Sequence, residues 1–151
     1  MKQIKMDYGR NGLIVDLPDE TDVFLVRETP AIADETAAIK NALRQPIGQP
    51  PLRELVKKGT KVVIVHTDIT RATPNGRLLP VILNELENSG VKREDITLLN
   101  ALGTHRPQTQ QEIRQMLGQE IVEDYRCLQH DAYDSDRLVT FKKNHLGRPV
   151  Q

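Results

Sequence analysis

Two short stretches of this 151-residue chain carry side chains suited to chemistry, and each lies directly behind an apolar run. The first, Thr67-Asp68-Ile69-Thr70-Arg71, combines hydroxyls, a carboxylate and a guanidinium. Arg71 offers a planar fork of donors matched to phosphate or carboxylate, Thr67 and Thr70 offer hydroxyls, and Asp68 can accept from a ribose hydroxyl or orient the arginine. The second, Gly103-Thr104-His105-Arg106-Pro107, joins a glycine that lets a ligand approach the backbone to a histidine able to take and return a proton near neutral pH. Arg106 beside it is a second candidate for holding an anion. Together the stretches read as an anion and sugar site with an acid/base group. A plainer reading uses the same residues: Asp68 and Thr70 form a turn, Arg71 pairs with a surface carboxylate, and His105 is a loop histidine without a task.

The remaining candidates are weaker. His66 ends an apolar run and either faces the same crevice or packs with its nitrogens satisfied. His130 lies three residues from Cys127, but one Cys-x-x-His without a second pair is a poor metal signal. His145 sits in turn-like sequence. A divalent-metal hydrolase built on His66, His105 and Asp68 is conceivable, although the spacing matches no strong zinc or iron signature. No Gly-rich phosphate loop of the G-x-G-x-x-G or G-K-[ST] kind occurs, nor a nucleophile elbow, so a conventional dinucleotide or nucleoside-triphosphate site is disfavoured.

The elements that must position these loops follow from periodicity. Lys61 to His66 is a continuous, β-branched apolar run, the pattern of a strand covered on both faces. Ile96 to Ala101 is a second such strand. Between them Arg77 to Asn88 repeats apolar residues at helical spacing, with Gly90 as the stop. Thr109 with Glu112 forms a capping box for a helix reaching about Leu117, with Gly118 beyond it. The order strand, loop, helix, strand, loop, helix is that of βαβ units, and ligands of open α/β sheets collect beyond the carboxyl ends of the strands. Arg71 and His105 are about 34 residues apart, one βαβ step, so both loops should emerge side by side on one sheet edge. Upstream, Leu13–Leu17 and Val23–Val26 flank a turn-rich spacer and read as a β-hairpin; Pro30 to Arg44 and Leu52 to Lys58 read as helices. Near the end, Leu138 to Phe141 reads as a strand, Lys142 to Gly147 as a turn, and Pro149-Val150 as the start of another strand. The expected fold is a Rossmann-like open, mostly parallel α/β sheet with flanking helices and an N-terminal β-hairpin. All 151 residues read as one domain, and the unfinished sheet points to a fragment of something longer, which the resemblance given below implies is the N-terminal domain of a two-domain protein.

Composition bounds the function classes. Twenty-one basic and twenty-one acidic residues give zero formal charge, removing the electrostatic footprint of a general nucleic-acid or anionic-membrane binder. With no Trp, three Tyr and two Phe there is little for base stacking. The single cysteine excludes an intrachain disulfide and favours a reducing compartment. No apolar run reaches the ~18 residues of a membrane span, and Met1 to Arg10 lacks the core of a signal peptide. A cytoplasmic setting is expected.

The two loops in this order resemble the N-terminal domain of the nickel-dependent lactate racemase family, whose members carry Asp-x-Thr-Arg followed by Gly-x-His-Arg-Pro at this separation. Here these are Asp68 to Arg71 and Gly103 to Pro107. Similar residues recur at Asn41-Ala42-Leu43, Pro46-Ile47-Gly48, Leu52 to Leu55, Gln129-His130-Asp131, Leu138-Val139 and Gly147 to Val150, so the resemblance covers nearly the whole chain. It implies an isomerase acting on a small 2-hydroxy acid with a nickel pincer nucleotide. In that family the hydroxyl proton passes to a histidine while hydride moves to the cofactor ring, and the keto acid takes the hydride back on its other face. By motif, His105 would be one of two acid/base groups. Asp68, Ile69, Thr70 and Arg71, with Gly103, Thr104 and Arg106, would hold the nucleotide. Ile69 and Ala72 stand where lactate racemases have His and Pro, which implies a different 2-hydroxy acid or a sugar acid. The second histidine, the lysine that carries the cofactor covalently and the nickel-ligating histidine lie farther along in the family. The chain would thus need the remainder of its own sequence as a partner, and it assigns no metal ligand itself. The alternative is a non-catalytic binding module for a phosphorylated small molecule or mononucleotide.

Overall fold

Apolar β-branched residues build the sheet that positions both loops. In the computed structural model, which describes residues 1–150, β3 (Val62–His66), β4 (Ile96–Asn100) and β5 (Arg126–Gln129) form a three-stranded parallel sheet with β4 in the middle. Val62 pairs with Ile96 and His66 with Asn100, while Thr97 pairs with Arg126 and Asn100 with Gln129. Crossovers run through α3 (Asn75–Asn88), then through α4 (Gln110–Leu117) and α5 (Gln119–Asp124). This is the mixed α/β architecture expected from the order of elements.

The core lies between the sheet and these helices. Leu79, Leu83 and Leu86 of α3, Ile96 and Leu98 of β4, and Ile113, Leu117 and Ile121 of α4 and α5 form one buried cluster. Earlier in the chain α1 (Glu35–Arg44) and the short α2 (Leu52–Leu55) pack on α3. The expectation that Lys61–His66 is covered on both faces does not hold: Val63 and Val65 are exposed at 59% and 63%, and Leu128 at 40%. All three crossover helices lie on the other face, because successive right-handed βαβ steps in one direction place their helices on one side.

Local signals explain most boundaries. Helix α1 begins at Glu35, not at Pro30, because the Asp34 side chain accepts from Ala37 N and caps it there. Helix α2 stops at Leu55, short of the expected Lys58, since Val56 turns extended. The Thr109 capping box is fully formed, with the Glu112 carboxylate accepting in return from Thr109 N, and Gly118 ends α4 at φ +96°. Two elements have no clear sequence signal: α5, and β5, whose four residues Arg-Cys-Leu-Gln lack an apolar run.

Met1–Ala31 forms a separate compact unit. It contains an antiparallel hairpin, but its arms are β1 (Lys2–Met6) and β2 (Leu13–Leu17), so the expected partner Val23–Val26 is corrected. The residues of Val23–Val26 are exposed and belong to no strand. In Lys2–Met6 only Ile4, paired with Val15, is partly buried. At the other end a short hairpin pairs β6 (Lys142–Lys143) with β7 (Pro149–Val150), so the expected strand Leu138–Phe141 lies just before the observed pairing. Its last residue still donates, Phe141 N to Val150 O at 2.9 Å. Among the described residues no helix is long and apolar enough to cross a membrane.

Candidate functional site

Three parallel strands end together, and the two chemically equipped loops follow the first two of them. Ala101 N donates to His66 O at 2.9 Å, extending the pairing of β3 and β4 by one step and setting the loops side by side. The loop after β3 is folded by its own aspartate. Asp68 Oδ1 accepts from Thr70 N at 3.0 Å and from Thr70 Oγ1 at 2.6 Å, while Arg71 N donates to Asp68 O at 3.1 Å. That turn buries the Asp68 carboxylate to 4% exposure.

The second loop brings its histidine to the same carboxylate. His105 Nδ1 lies against Asp68 Oδ2, with the His105 side chain about half exposed. The bonds from Thr70, then the one from His105, hold the Asp68 carboxyl down at about 2, against the opposing effect of burial. Asp68 is therefore ionised at neutral pH and can only accept, so the hydrogen of this contact sits on His105 Nδ1. A neutral imidazole then leaves Nε2 as a free acceptor.

Asp68 and His105 border two cavities. One, of about 310 Å³, is completed by Thr67, Arg71, Gly103 and Thr104; the other, of about 230 Å³, by Ile69, Thr70, Arg106 and Gln108. The acid/base and nucleotide-binding candidates of both loops thus all line one or the other. Arg71 is exposed and has no ion pair among the described residues, and it also borders a groove beside the start of α3. Gly103 adopts φ +59°, and nothing lies within 4 Å of where its side chain would begin, so the backbone is open to close approach. Thr67 Oγ1 is buried without a partner, an orphan in the wall of the larger cavity. An unpaired guanidinium, an orphaned hydroxyl and a bare glycine form a donor set suited to the phosphate and hydroxyls of a nucleotide.

Arg106 is placed differently. Its guanidinium binds Glu112 at 2.7 and 2.9 Å and also donates to Pro107 O. This pairing, reinforced by the cap on α4, takes Glu112 down to about 2. His66 is buried on the helix-covered face, its Nδ1 bonded to Thr67 O, and burial lowers its pKa, so it is neutral. No group of three or more His, Cys, Asp or Glu side chains converges as a metal site among the described residues, so His66, Asp68 and His105 do not form the cluster of the hydrolase reading. His130 N is tied to Asn100 O, and Cys127 is half-buried within β5.

A second set of residues holds the His105 loop, and only its geometry reveals it. Buried Asn100, at the end of β4, donates from Nδ2 to Gln108 Oε1 at 2.7 Å. Gln129, at the end of β5, accepts from Gln108 N at 2.7 Å and donates to Gln108 O at 2.9 Å. The Gln108 backbone and side chain are clamped to two strands, fixing the point at which the loop enters α4. Gln108→Ala is expected to cost about 1–3 kcal/mol, because Asn100 would lose its remaining side-chain partner in the interior; urea unfolding of the variant measures it.

The two depressed carboxylates also set an acid limit. Folded values near 2 lie below the ordinary 3.8 of Asp68 and 4.5 of Glu112, so each stabilises the fold above those ordinary values and loses that contribution as pH falls toward 2. Melting temperature should therefore drop between about pH 4.5 and pH 2. The drop should be shallower in Glu112→Gln, which a series of thermal melts resolves.

The family model described as the lactate racemase N-terminal domain matches residues 8–151. The lactate racemase of Thermoanaerobacterium thermosaccharolyticum is 32% identical over 142 residues, covering 91% of this chain and 33% of the relative. That of Lactiplantibacillus plantarum is 30% identical over 143 residues, with 92% and 34% covered. The solved structure of the lactate racemase apoprotein from T. thermosaccharolyticum superposes with a TM-score of 0.79 at 30% identity, covering 98% of this chain and 34% of that one. The chain spans about a third of the length of the relatives it matches.

Proposed function

The chain belongs to the lactate racemase N-terminal domain family, and from that premise we propose that it forms the first part of a racemase or epimerase of small 2-hydroxy acids. The observation that carries the reading is the meeting of the two loops, with His105 held by one carboxylate beside an arginine that has no ion pair among the described residues. His105 is one of the two acid/base groups. Its Nε2 accepts the proton of the substrate hydroxyl and returns it when the product forms, for which an imidazole is suited because its ordinary pKa of ~6.5 permits transfer in both directions.

The loop residues fit a nucleotide. Arg71, Thr67 and the open Gly103 backbone would hold its anionic and hydroxyl groups, with Ile69, Thr70 and Thr104 lining the walls and Arg106 fixing the second loop through Glu112. When bound, a nickel pincer nucleotide would supply the hydride acceptor and donor that a stereochemical inversion at a C–H carbon requires. By resemblance, the residues for its covalent attachment and for nickel ligation lie outside the third of the relatives' length that this chain matches. A lone, half-buried thiol is compatible with a cytoplasmic setting.

The test is interconversion of 2-hydroxy-acid stereoisomers by the intact reading frame, coexpressed with proteins that make the cofactor. Turnover supports the reading. Its absence, together with mononucleotide binding that is lost in Arg71→Ala but kept in His105→Ala, would favour a binding module instead.

A further inference from the structure

We propose that Asp68 is a positioning residue for His105, holding the imidazole as the Nδ1–H tautomer so that Nε2 is the nitrogen that exchanges the substrate proton. The inference deepens the racemase reading and rests on it for the role of His105. By motif Asp68 would contact the nucleotide, but its oxygens are committed within the chain: Oδ1 receives Thr70 N and Oγ1, and Oδ2 receives His105 Nδ1. With the carboxylate 4% exposed, little of it is left for a ligand, in contrast to Arg71.

The contacts responsible are few and direct. Thr70 donates two hydrogens to one oxygen, which fixes the plane of the carboxylate and turns the other oxygen toward the second loop. A carboxylate accepts and cannot donate, so it selects the imidazole nitrogen that carries hydrogen. The second loop is separately held by the His105 N to Leu102 O turn and by the Gln108 clamp, so the backbone that carries the ring is fixed and the bond to Asp68 orients the ring itself. The charged groups bordering the two cavities shared with His105 are Asp68, Arg71 and Arg106, and the charge of Arg106 is matched by Glu112. When Nε2 takes a proton, the resulting imidazolium faces the ionised Asp68, and the proton can be returned from the same nitrogen.

Long-range proton–nitrogen NMR of the ¹⁵N-histidine-labelled intact protein reads the ring directly. In the wild-type protein at alkaline pH the Nδ1-protonated tautomer should dominate, and in Asp68→Ala it should give way to a mixture in which Nε2–H prevails. In the cofactor-loaded enzyme Asp68→Ala should lower kcat by about 10²–10⁴-fold with KM changed far less, since tautomer and orientation are lost while Arg71 remains. An Nε2–H ring in the wild-type protein, which needs no variant to fold, overturns the proposal, as does an unchanged tautomer in Asp68→Ala. If the tautomer behaves as expected but His105→Ala retains full turnover, the racemase role of His105 fails instead.

Discussion

On the proposed function, replacing His105 by alanine should lower the turnover of the intact, cofactor-loaded protein by about 10²–10⁴-fold, the usual worth of a positioned acid/base group. The loss should fall on kcat, because in that reading Arg71, on the wall of the same cavity, remains to hold the anion. Alanine also removes the donor to Asp68 Oδ2 and leaves a buried carboxylate oxygen unpaired, so part of any loss could come from a disturbed loop. His105→Gln separates the two effects, since its amide can still donate to Asp68 but cannot take a proton at neutral pH. The expected result is a folded, nearly inactive His105→Gln enzyme. Retention of turnover within a few-fold of wild type in either variant would remove His105 from the mechanism.

The largest effect on stability is expected at Leu98, where alanine should cost about 2–5 kcal/mol. Leu98 is fully buried, in the central strand, with Ile64 and Cys127 as its register partners. Leu79, Leu83 and Leu86 belong to the same cluster from α3, and Leu117 and Ile121 from α4 and α5. Three helices cover the site on one side and two strands flank it, so the neighbours have little freedom to close the cavity. Against a typical domain stability of ~5–15 kcal/mol this is a large fraction, and urea unfolding measures it. Val65→Ala, one strand away on the open face, should cost much less, because its side chain is 63% exposed. Equal losses at Leu98 and Val65 would mean that the open face is covered in solution.

The parts of the fold that local sequence can encode are legible in it. The runs of β3 and β4, the helical spacing of α3 and the Thr109 box all act within a few residues, and the sequence accordingly puts both loops at strand ends, where the fold has them. Strand β5 escapes such a reading because four residues with a charged start carry no periodic signal; it becomes a strand by pairing with β4. One arm of the hairpin, Leu13–Leu17, is visible, but its partner is chosen by register and turn, which apolar content does not reveal. Expecting β3 to be covered on both faces reads hydrophobicity without the direction of the crossovers. At the candidate site the residue types are visible, whereas the bond between Asp68 and His105, 37 residues apart, is not. The pairing of Arg106 with Glu112 is hidden for a related reason: nothing in a capping box announces a third participant.

The Gln108 clamp makes the His105 loop a ruler. Asn100 and Gln108 are eight positions apart and bonded to each other, and the Gln129 amide grips the far end of that interval on both its backbone donor and its acceptor. An inserted or deleted residue between them could not be absorbed by sliding at either end, so it would displace His105 from Asp68 even with every named side chain retained. Alignments of such chains should therefore be judged by the length of this interval as well as by the motif inside it, since a relative with the right letters and the wrong count would not bring its histidine to the carboxylate.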